Sequence, residues 1–149
     1  MIVIDRAKLH RVLQSIEARD GHFVLAALFM REDSAGLWDL VVSAPWLRRG
    51  NLAALKRFAK RLTAALSQDE ILSLSHIVRL NREDPALKNI LQELGSVTEP
   101  VEKVGRNLFG LPVEHAYIFR ARGRALSDKV QLVAPRSRRG SRPRTGAAR

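Results

Sequence analysis

An unbroken apolar run from Phe23 to Met30 constrains the fold of this chain more than any other segment. A strand with one solvated face alternates apolar and polar residues, whereas a strand buried on both faces reads as a continuous apolar stretch. Even counted from Gly21, the stretch to Met30 is about half of the roughly 20 residues that a membrane-spanning helix needs. We therefore predict a buried strand within His22 to Met30, and no segment that crosses a bilayer.

Helix and strand patterns alternate on both sides of this run. Asp5 caps a first helix that ends near Arg19, and Leu37 to Ser43 forms a second strand that pairs antiparallel with the first. Asn51 caps the helix with the clearest apolar stripe. The members of the stripe are Leu52, Leu55, Phe58, Leu62 and Leu66.

The rest of the chain continues the alternation. It holds a short helix opened by the capping-box pair Ser67 and Glu70, a strand at Ser75 to Leu80, a helix from Asp84-Pro85 to Gly95, a loosely alternating segment at Val97 to Val104, and a last strand at His115 to Arg120. The order is helix, strand, strand, helix, strand, helix, strand. This order predicts an α/β or α+β fold, a mixed sheet of about four to five strands covered by helices.

Basic charge is concentrated at one end of the chain. Residues 1–122 hold 18 Lys or Arg against 14 Asp or Glu, whereas residues 123–149 hold 8 against Asp128 alone. From Ala134 onward no large apolar residue offsets the entropy of ordering. We predict a single α/β domain over 1–122 and a disordered basic tail over 123–149. The lack of cysteine excludes disulfides and thiol catalysis, and with no apolar leader a cytoplasmic protein is expected.

Leu28 to Arg31 closes one strand and Trp38 to Val42 makes the next, an order that resembles the small nucleotidyltransferase fold over roughly residues 5–94. In that family the first strand ends in Gly-Ser and the next carries Asp-x-Asp, whose carboxylates hold magnesium. Here Met30 and Arg31 replace Gly-Ser, and only the second aspartate, Asp39, is present. Because magnesium takes several oxygen ligands, the resemblance implies a degenerate, non-catalytic scaffold without metal or cofactor.

Asp39 itself has two interpretations. An ionised carboxylate in an apolar strand needs a partner, such as Arg31, Arg79 or Arg120. On the solvent face of a half-covered sheet it is merely the polar position of an alternation. A nucleotide-dependent enzyme with a residual site at Asp39 is accordingly the second alternative function.

Aromatic residues near the end of the second strand are candidates for binding a partner. They are Trp38, Pro45 and Trp46, with core packing as the alternative for the two tryptophans. The first hypothesis is a non-catalytic module that binds a protein partner or forms a homo-oligomer. It uses the segment Ser43 to Leu47 or an exposed sheet edge.

A positive stretch supports the alternative hypothesis of RNA or DNA binding, since no acidic residue lies between Val41 and Gln68. Its cations are Arg48, Arg49, Lys56, Arg57, Lys60 and Arg61, and those of the tail are Arg136, Arg138, Arg139, Arg142 and Arg144. Positions 56 and 60, like 57 and 61, lie one helical turn apart, away from the apolar stripe. A solvated helix face is the structural alternative.

Overall fold

The computed structural model describes residues 4–33, 36–48 and 50–123. The helices are α1 Arg6–Asp20, α2 Leu52–Ala65, α3 Gln68–Ser73 and α4 Pro85–Leu94. The strands are β1 Leu25–Arg31, β2 Trp38–Ser43, β3 Leu74–Arg79, β4 Ser96–Val97, β5 Val101–Val104 and β6 Val113–Arg122. Two 3₁₀ turns, Pro45–Leu47 and Leu108–Gly110, connect them.

Within these residues the strands form one mixed sheet in the order β3-β2-β1-β6-β4, with β5 also paired to β6. β1 pairs antiparallel with both β2 and β6. β2 and β3 run parallel, so α2 and α3 make the crossover between them. The predicted mixed α/β sheet is confirmed. It has six strands rather than four to five, because the segment Val97 to Val104 contributes β4 and β5 as short pairings with β6.

Helices cover both faces of the sheet, which explains the unbroken apolar character of β1. The α1/α2 core lies on one face and joins helix residues such as Leu13 and Phe58 to Leu28 of β1. The α4 core lies on the other face and joins Ile90 to Phe29. The predicted strand buried on both faces is therefore confirmed, since successive β1 side chains enter opposite cores.

The predicted helix caps are confirmed. Asp5 and Asn51 each accept a hydrogen bond from a main-chain N–H in the first turn of α1 and α2. The helix predicted to start at Asp84-Pro85 is α4, and the Asp84 side chain accepts from the Ala86 N–H. Ser67 and Glu70 form the complete capping box of α3.

Some sequence-based boundaries and burial assignments were wrong. Leu52 is 61% exposed rather than part of the core stripe, because helical geometry turns it about 120° away from Phe58. β1 begins at Leu25 rather than His22, since the Phe23 N–H donates to Glu17 Oε2 instead of a strand. The last strand is longer than predicted, and residues 124–149 of the predicted tail lie outside the described residues.

In the part of the chain that the structure describes, no helix has both the length and the apolar character needed to cross a bilayer.

Candidate functional site

β3 forms one border of the sheet. Among the described residues it pairs with β2 alone. The Leu80 N–H donates to the Val42 carbonyl at 2.9 Å, which fixes the pairing register. In a parallel pair, the N–H and C=O of one residue point to the same side and alternate along the strand. The main-chain groups of Ile77 and Arg79 therefore point away from β2, toward the outside of the sheet.

A bulge lies near the start of β3. Trp38 is opposite Leu74, whereas the next β2 residue, Asp39, is opposite His76, so Ser75 is an extra residue in β3. Bulges bend a strand and are common at sheet borders and next to functional sites. The bend separates the covered start of β3, where Leu74 packs on the α1/α2 core, from Ile77, which is 37% exposed.

An apolar cleft of about 210 Å³ lies between β3 and the two crossover helices. We call it the α2–β3 cleft. It is lined by Leu62, Thr63, Leu66, Ile71, Leu74, Ser75, His76 and Ile77. Sites for small-molecule ligands usually measure roughly 300–1,000 Å³, so this cleft is closer to the size of a single large side chain.

The flank of α2 that borders the cleft continues the apolar surface. At about 100° per residue, Leu52 lies within about 20° of Thr63 around the helix axis, three turns nearer the N-terminus. Because α2 runs back along the parallel pair β2–β3, this exposed leucine lies toward the end of β3 that carries Arg79. Leu52, which the apolar stripe placed in the core, is therefore exposed on the same side of the molecule as Ile77.

Glu70 fixes α3, one wall of the cleft, to α1. The residue is 5% exposed. One carboxylate oxygen lies 2.5 Å from Lys8 Nζ and accepts from the Ser67 N–H, and the other accepts from the Asp5 N–H at 2.9 Å. Burial by itself would raise the pKa of this carboxyl, but the Lys8 ammonium and the two main-chain donors outweigh it and lower the pKa to about 2.

Asp39 lies on the other face of the sheet from the cleft and is 8% exposed, so the interpretation as a solvated strand position was wrong. Its Oδ2 lies 3.4 Å from Arg31 Nε and its Oδ1 lies 3.3 Å from His76 Nδ1. Arg31 is thus the partner that the sequence suggested. The other two candidates are engaged elsewhere: Arg79 donates to the Arg48 carbonyl, and Arg120 pairs with Glu17.

Asp39, His76 and Ser75 form a polar group whose geometry does not suit nucleophilic catalysis. Ser75 Oγ lies 3.0 Å from His76 Nδ1, the same ring nitrogen that faces Asp39. In a nucleophilic triad the carboxylate and the hydroxyl contact opposite ring nitrogens, so these three residues do not form one. In residues 4–33, 36–48 and 50–123, no group of three or more acidic or histidine side chains is placed to hold a metal ion.

The predicted basic surface is only partly formed on α2. Lys56, Arg57 and Lys60 are exposed, whereas Arg61 is half-buried and forms an ion pair with Asp20 at the end of α1. Arg48 is exposed on the loop before α2. The remaining predicted cations, Arg49, Arg136, Arg138, Arg139, Arg142 and Arg144, lie outside the described residues.

The aromatic candidates for partner binding are mainly structural in this fold. Trp38 is 7% exposed and belongs to the α1/α2 core. The centroid of its ring lies 5.0 Å from that of the His115 ring. Trp46 is half-buried against Phe23 and Phe58. Pro45 is exposed beside it, at the start of the first 3₁₀ turn. The structure therefore brings the two tryptophans into the core and leaves Pro45 at the surface.

The cleft and the outward-facing groups of β3 were not identified from the sequence. The usable signal is the apolar Ile77 beside polar residues in a strand between two helices, but it does not say that β3 lies at the sheet border. That position depends on strand order, which follows from long-range pairing. Only the general suggestion of an exposed sheet edge anticipated the site.

Comparison with known proteins gives no match: no family model, no curated protein and no solved structure is significantly similar to this chain. The resemblance to the small nucleotidyltransferase fold stays a prediction.

Proposed function

We propose that this protein is a protein-interaction module that binds an extended segment of a partner by adding it as a strand to the outer side of β3. The outward-pointing main-chain groups of Ile77 and Arg79 carry this proposal. No strand within the described residues pairs with them, and unpaired N–H and C=O groups at a sheet border are a template for another strand.

The side chains around β3 fit the same mode of binding. Strand addition draws affinity from main-chain hydrogen bonds and specificity from pockets that take alternate side chains of the ligand. The α2–β3 cleft lies directly beside β3 and has room for one large apolar side chain. Ile77 lines the cleft and is 37% exposed, so it supplies apolar surface between the cleft and the outer side of β3.

Replacing Ile77 by proline tests the proposal with little effect on the native sheet. The Ile77 N–H points outward, so Ile77→Pro removes a donor that β2 does not use, and proline is tolerated at such border positions. Ile77→Thr is the matched control, since it keeps the N–H and a β-branched side chain while also reducing apolar surface. Thermal unfolding of both variants verifies that each remains folded.

The ligand is sought with a phage-displayed library of random peptides selected on the full chain. Binding of the selected peptides is then measured by fluorescence anisotropy. We expect selected peptides to lose at least about tenfold in affinity for Ile77→Pro, which corresponds to about 1.4 kcal/mol, and to retain most of it for Ile77→Thr. Peptides that bind Ile77→Pro and the unaltered chain equally well would overturn the proposal, as would a selection that yields none.

The oligomeric state provides a second test. A homodimer formed by pairing two β3 strands would occupy the same groups. Sedimentation analysis distinguishes the two cases. If the chain is a dimer and Ile77→Pro converts it to a monomer, the strand added to β3 comes from a second copy of this chain rather than from a different protein.

Binding of RNA or DNA is a second candidate function, favoured by a separate observation. Lys56, Arg57 and Lys60 are exposed, and none of them forms an ion pair with a described carboxylate. Such cations bind phosphates with little sequence preference and strong salt dependence. If this function is correct, each of the three single substitutions by glutamine weakens binding of a labelled RNA and flattens the salt dependence of that binding. The three variants should show effects of similar size. Unchanged affinity in the triple variant would eliminate it.

A further inference from the structure

β4 and β5 form a second border of the sheet, on the side of β6 away from β1. The Gly105 N–H donates to the Glu114 carbonyl at 3.0 Å, so these two residues form a hydrogen-bonded pair. Bonded and non-bonded pairs alternate in an antiparallel ladder, and Val104 is opposite His115. The main-chain groups of Val104 and Glu102 therefore point away from β6. Among the described residues, no strand pairs with them.

This border also carries exposed apolar side chains. Val104 is 73% exposed and Val101 is 38% exposed. Val104 is opposite His115, whose ring lies against Trp38, so its side chain is on the face of the α1/α2 core. Val101 is opposite Ile118 and lies on the face of the α4 core. Unpaired main-chain groups between exposed valines are a template for a strand with apolar side chains.

The described chain ends beside this border. The Gly123 N–H donates to the Gly95 carbonyl at 2.8 Å, directly before β4 begins at Ser96. Residues 124–149 follow. Because β4 and β5 run antiparallel to β6, a chain that turns back after Gly123 runs along the outer side of this border, parallel to β5.

One stretch of residues 124–149 has the sequence of a strand. Residues 129–133 read Lys-Val-Gln-Leu-Val, with β-branched and other apolar residues that favour extended structure. The prediction of a disordered tail depends on the residues from Ala134 onward, which lack large apolar side chains. Residues 129–133 do not share that property.

We propose that residues 129–133 of this chain bind to the outer side of β5 as an additional parallel strand. The tail then covers one border of the sheet within the same molecule, and β3 is the border that stays open to a partner.

The length of the connection sets the register. β6 covers about 20 Å between Gly123 and Tyr117, which is opposite Glu102, and the outer side of β5 lies two strand spacings, about 10 Å, from β6. The direct path is about 22 Å, whereas an extended chain from Gly123 to Val130 spans roughly 23–25 Å. Val130 is therefore the first residue that can lie level with Glu102.

The same register pairs both the main chain and the side chains. In a parallel pair, the N–H and C=O of one residue bond to the residues before and after the one level with it. The Glu102 N–H thus donates to the Lys129 carbonyl, and the Glu102 carbonyl accepts from the Gln131 N–H. Leu132 lies level with Val104 and covers its exposed side chain.

Charge favours this register over its neighbours. Lys129 lies level with Val101, two residues after Glu99. Glu99 is exposed and forms no ion pair within the described part of the chain. A register shifted by two residues places Lys129 beside Lys103, and like charges side by side destabilise a strand pair.

Introduced cysteines test the contact in the full chain, which has none of its own. Residues level with each other on neighbouring strands have Cα atoms about 4.8 Å apart, within the range that a disulfide bridges. We expect Val104→Cys with Leu132→Cys to form a disulfide within one chain under mild oxidation. Leu52→Cys with Leu132→Cys is the matched control, because Leu52 is also exposed but lies on α2. It should react at least about tenfold more slowly.

Electrophoresis without reductant separates the outcomes. Equal rates for the two cysteine pairs would overturn the proposal. A disulfide that joins two chains instead of closing within one would also overturn it, because the tail would then bind a second copy.

Amide hydrogen exchange measured by NMR tests the main-chain bonds. The Glu102 amide should exchange at least about tenfold faster in Gln131→Pro than in the unaltered chain, since this proline removes a donor to β5. Val130→Pro is the control, because the Val130 N–H points away from β5. The Lys103 amide, which bonds to β6, should keep its rate in both variants. Equal Glu102 rates in Gln131→Pro and the unaltered chain would contradict the added strand.

Discussion

Replacing Glu70 by glutamine should destabilise the fold by about 3 kcal/mol at neutral pH. The pKa of this buried carboxyl is lowered from 4.5 to about 2, and each pKa unit corresponds to about 1.4 kcal/mol of preference for the charged form in the folded state. The glutamine amide is neutral and cannot reproduce the ion pair with Lys8 while also accepting from the Ser67 and Asp5 N–H groups. With typical domain stabilities of about 5–15 kcal/mol, the loss is a substantial fraction.

The sign of the pH dependence follows from the lowered pKa. A carboxyl whose folded pKa lies below its unfolded value stabilises the fold fully above about pH 4.5, and this contribution is lost as the pH falls toward 2. Glu70→Gln lacks the contribution at every pH. The difference in unfolding free energy between the two chains should therefore be largest near neutral pH and shrink steadily between pH 4.5 and 2.

Urea unfolding followed by tryptophan fluorescence measures both quantities, since Trp38 and Trp46 pack against the α1/α2 core. Asp69→Asn is the control, because Asp69 is an exposed carboxylate next to Glu70 and its replacement should change stability by less than about 0.5 kcal/mol. A pH-independent difference between Glu70→Gln and the unaltered chain, or a loss equal to that of Asp69→Asn, would refute the role of these contacts.

Two further predictions concern packing and backbone conformation. Phe58→Ala should cost about 3–5 kcal/mol in unfolding free energy because Phe58 is fully buried, whereas Leu52→Ala should cost little because Leu52 is largely exposed; chemical denaturation compares the two. Gly21→Ala should lower the melting temperature more than Gly110→Ala. Both glycines have positive φ, but a Cβ at Gly21 would lie 2.9 Å from Trp46 Cδ1, whereas one at Gly110 meets nothing within 4 Å, so equal shifts would contradict the contact.

Features set by neighbouring residues were predictable from the sequence. The caps at Asp5 and Asn51 and the capping box at Ser67 depend on side chains within a few residues of the helix start, and the structure contains each of them. The continuous apolar sequence of β1 likewise predicted a strand buried on both faces, because such a strand needs apolar side chains at every position.

Features set by distant pairing were not predictable. β4 is only Ser96–Val97, too short to leave a periodic pattern, and exists because β6 pairs with it. The candidate site has the same origin, since its exposed groups follow from the border position of β3. Arg31 was one of three suggested partners of Asp39. It lies close to Asp39 because β1 pairs Phe29 with Asp39. The second partner, His76, lies opposite Asp39 on β3, on the other side of β2.

The parallel pairing of β2 with β3 also has a consequence for folding. β1 and β2 meet through a short connection, whereas β3 reaches its place only after residues 44–73 have formed the crossover. Closing the longer loop carries a larger entropic cost, and contacts between residues distant in the chain slow folding. We expect β3 to dock late and to be among the first strands released in native-state hydrogen exchange. A strand added to its outer side would then protect the least protected part of the sheet.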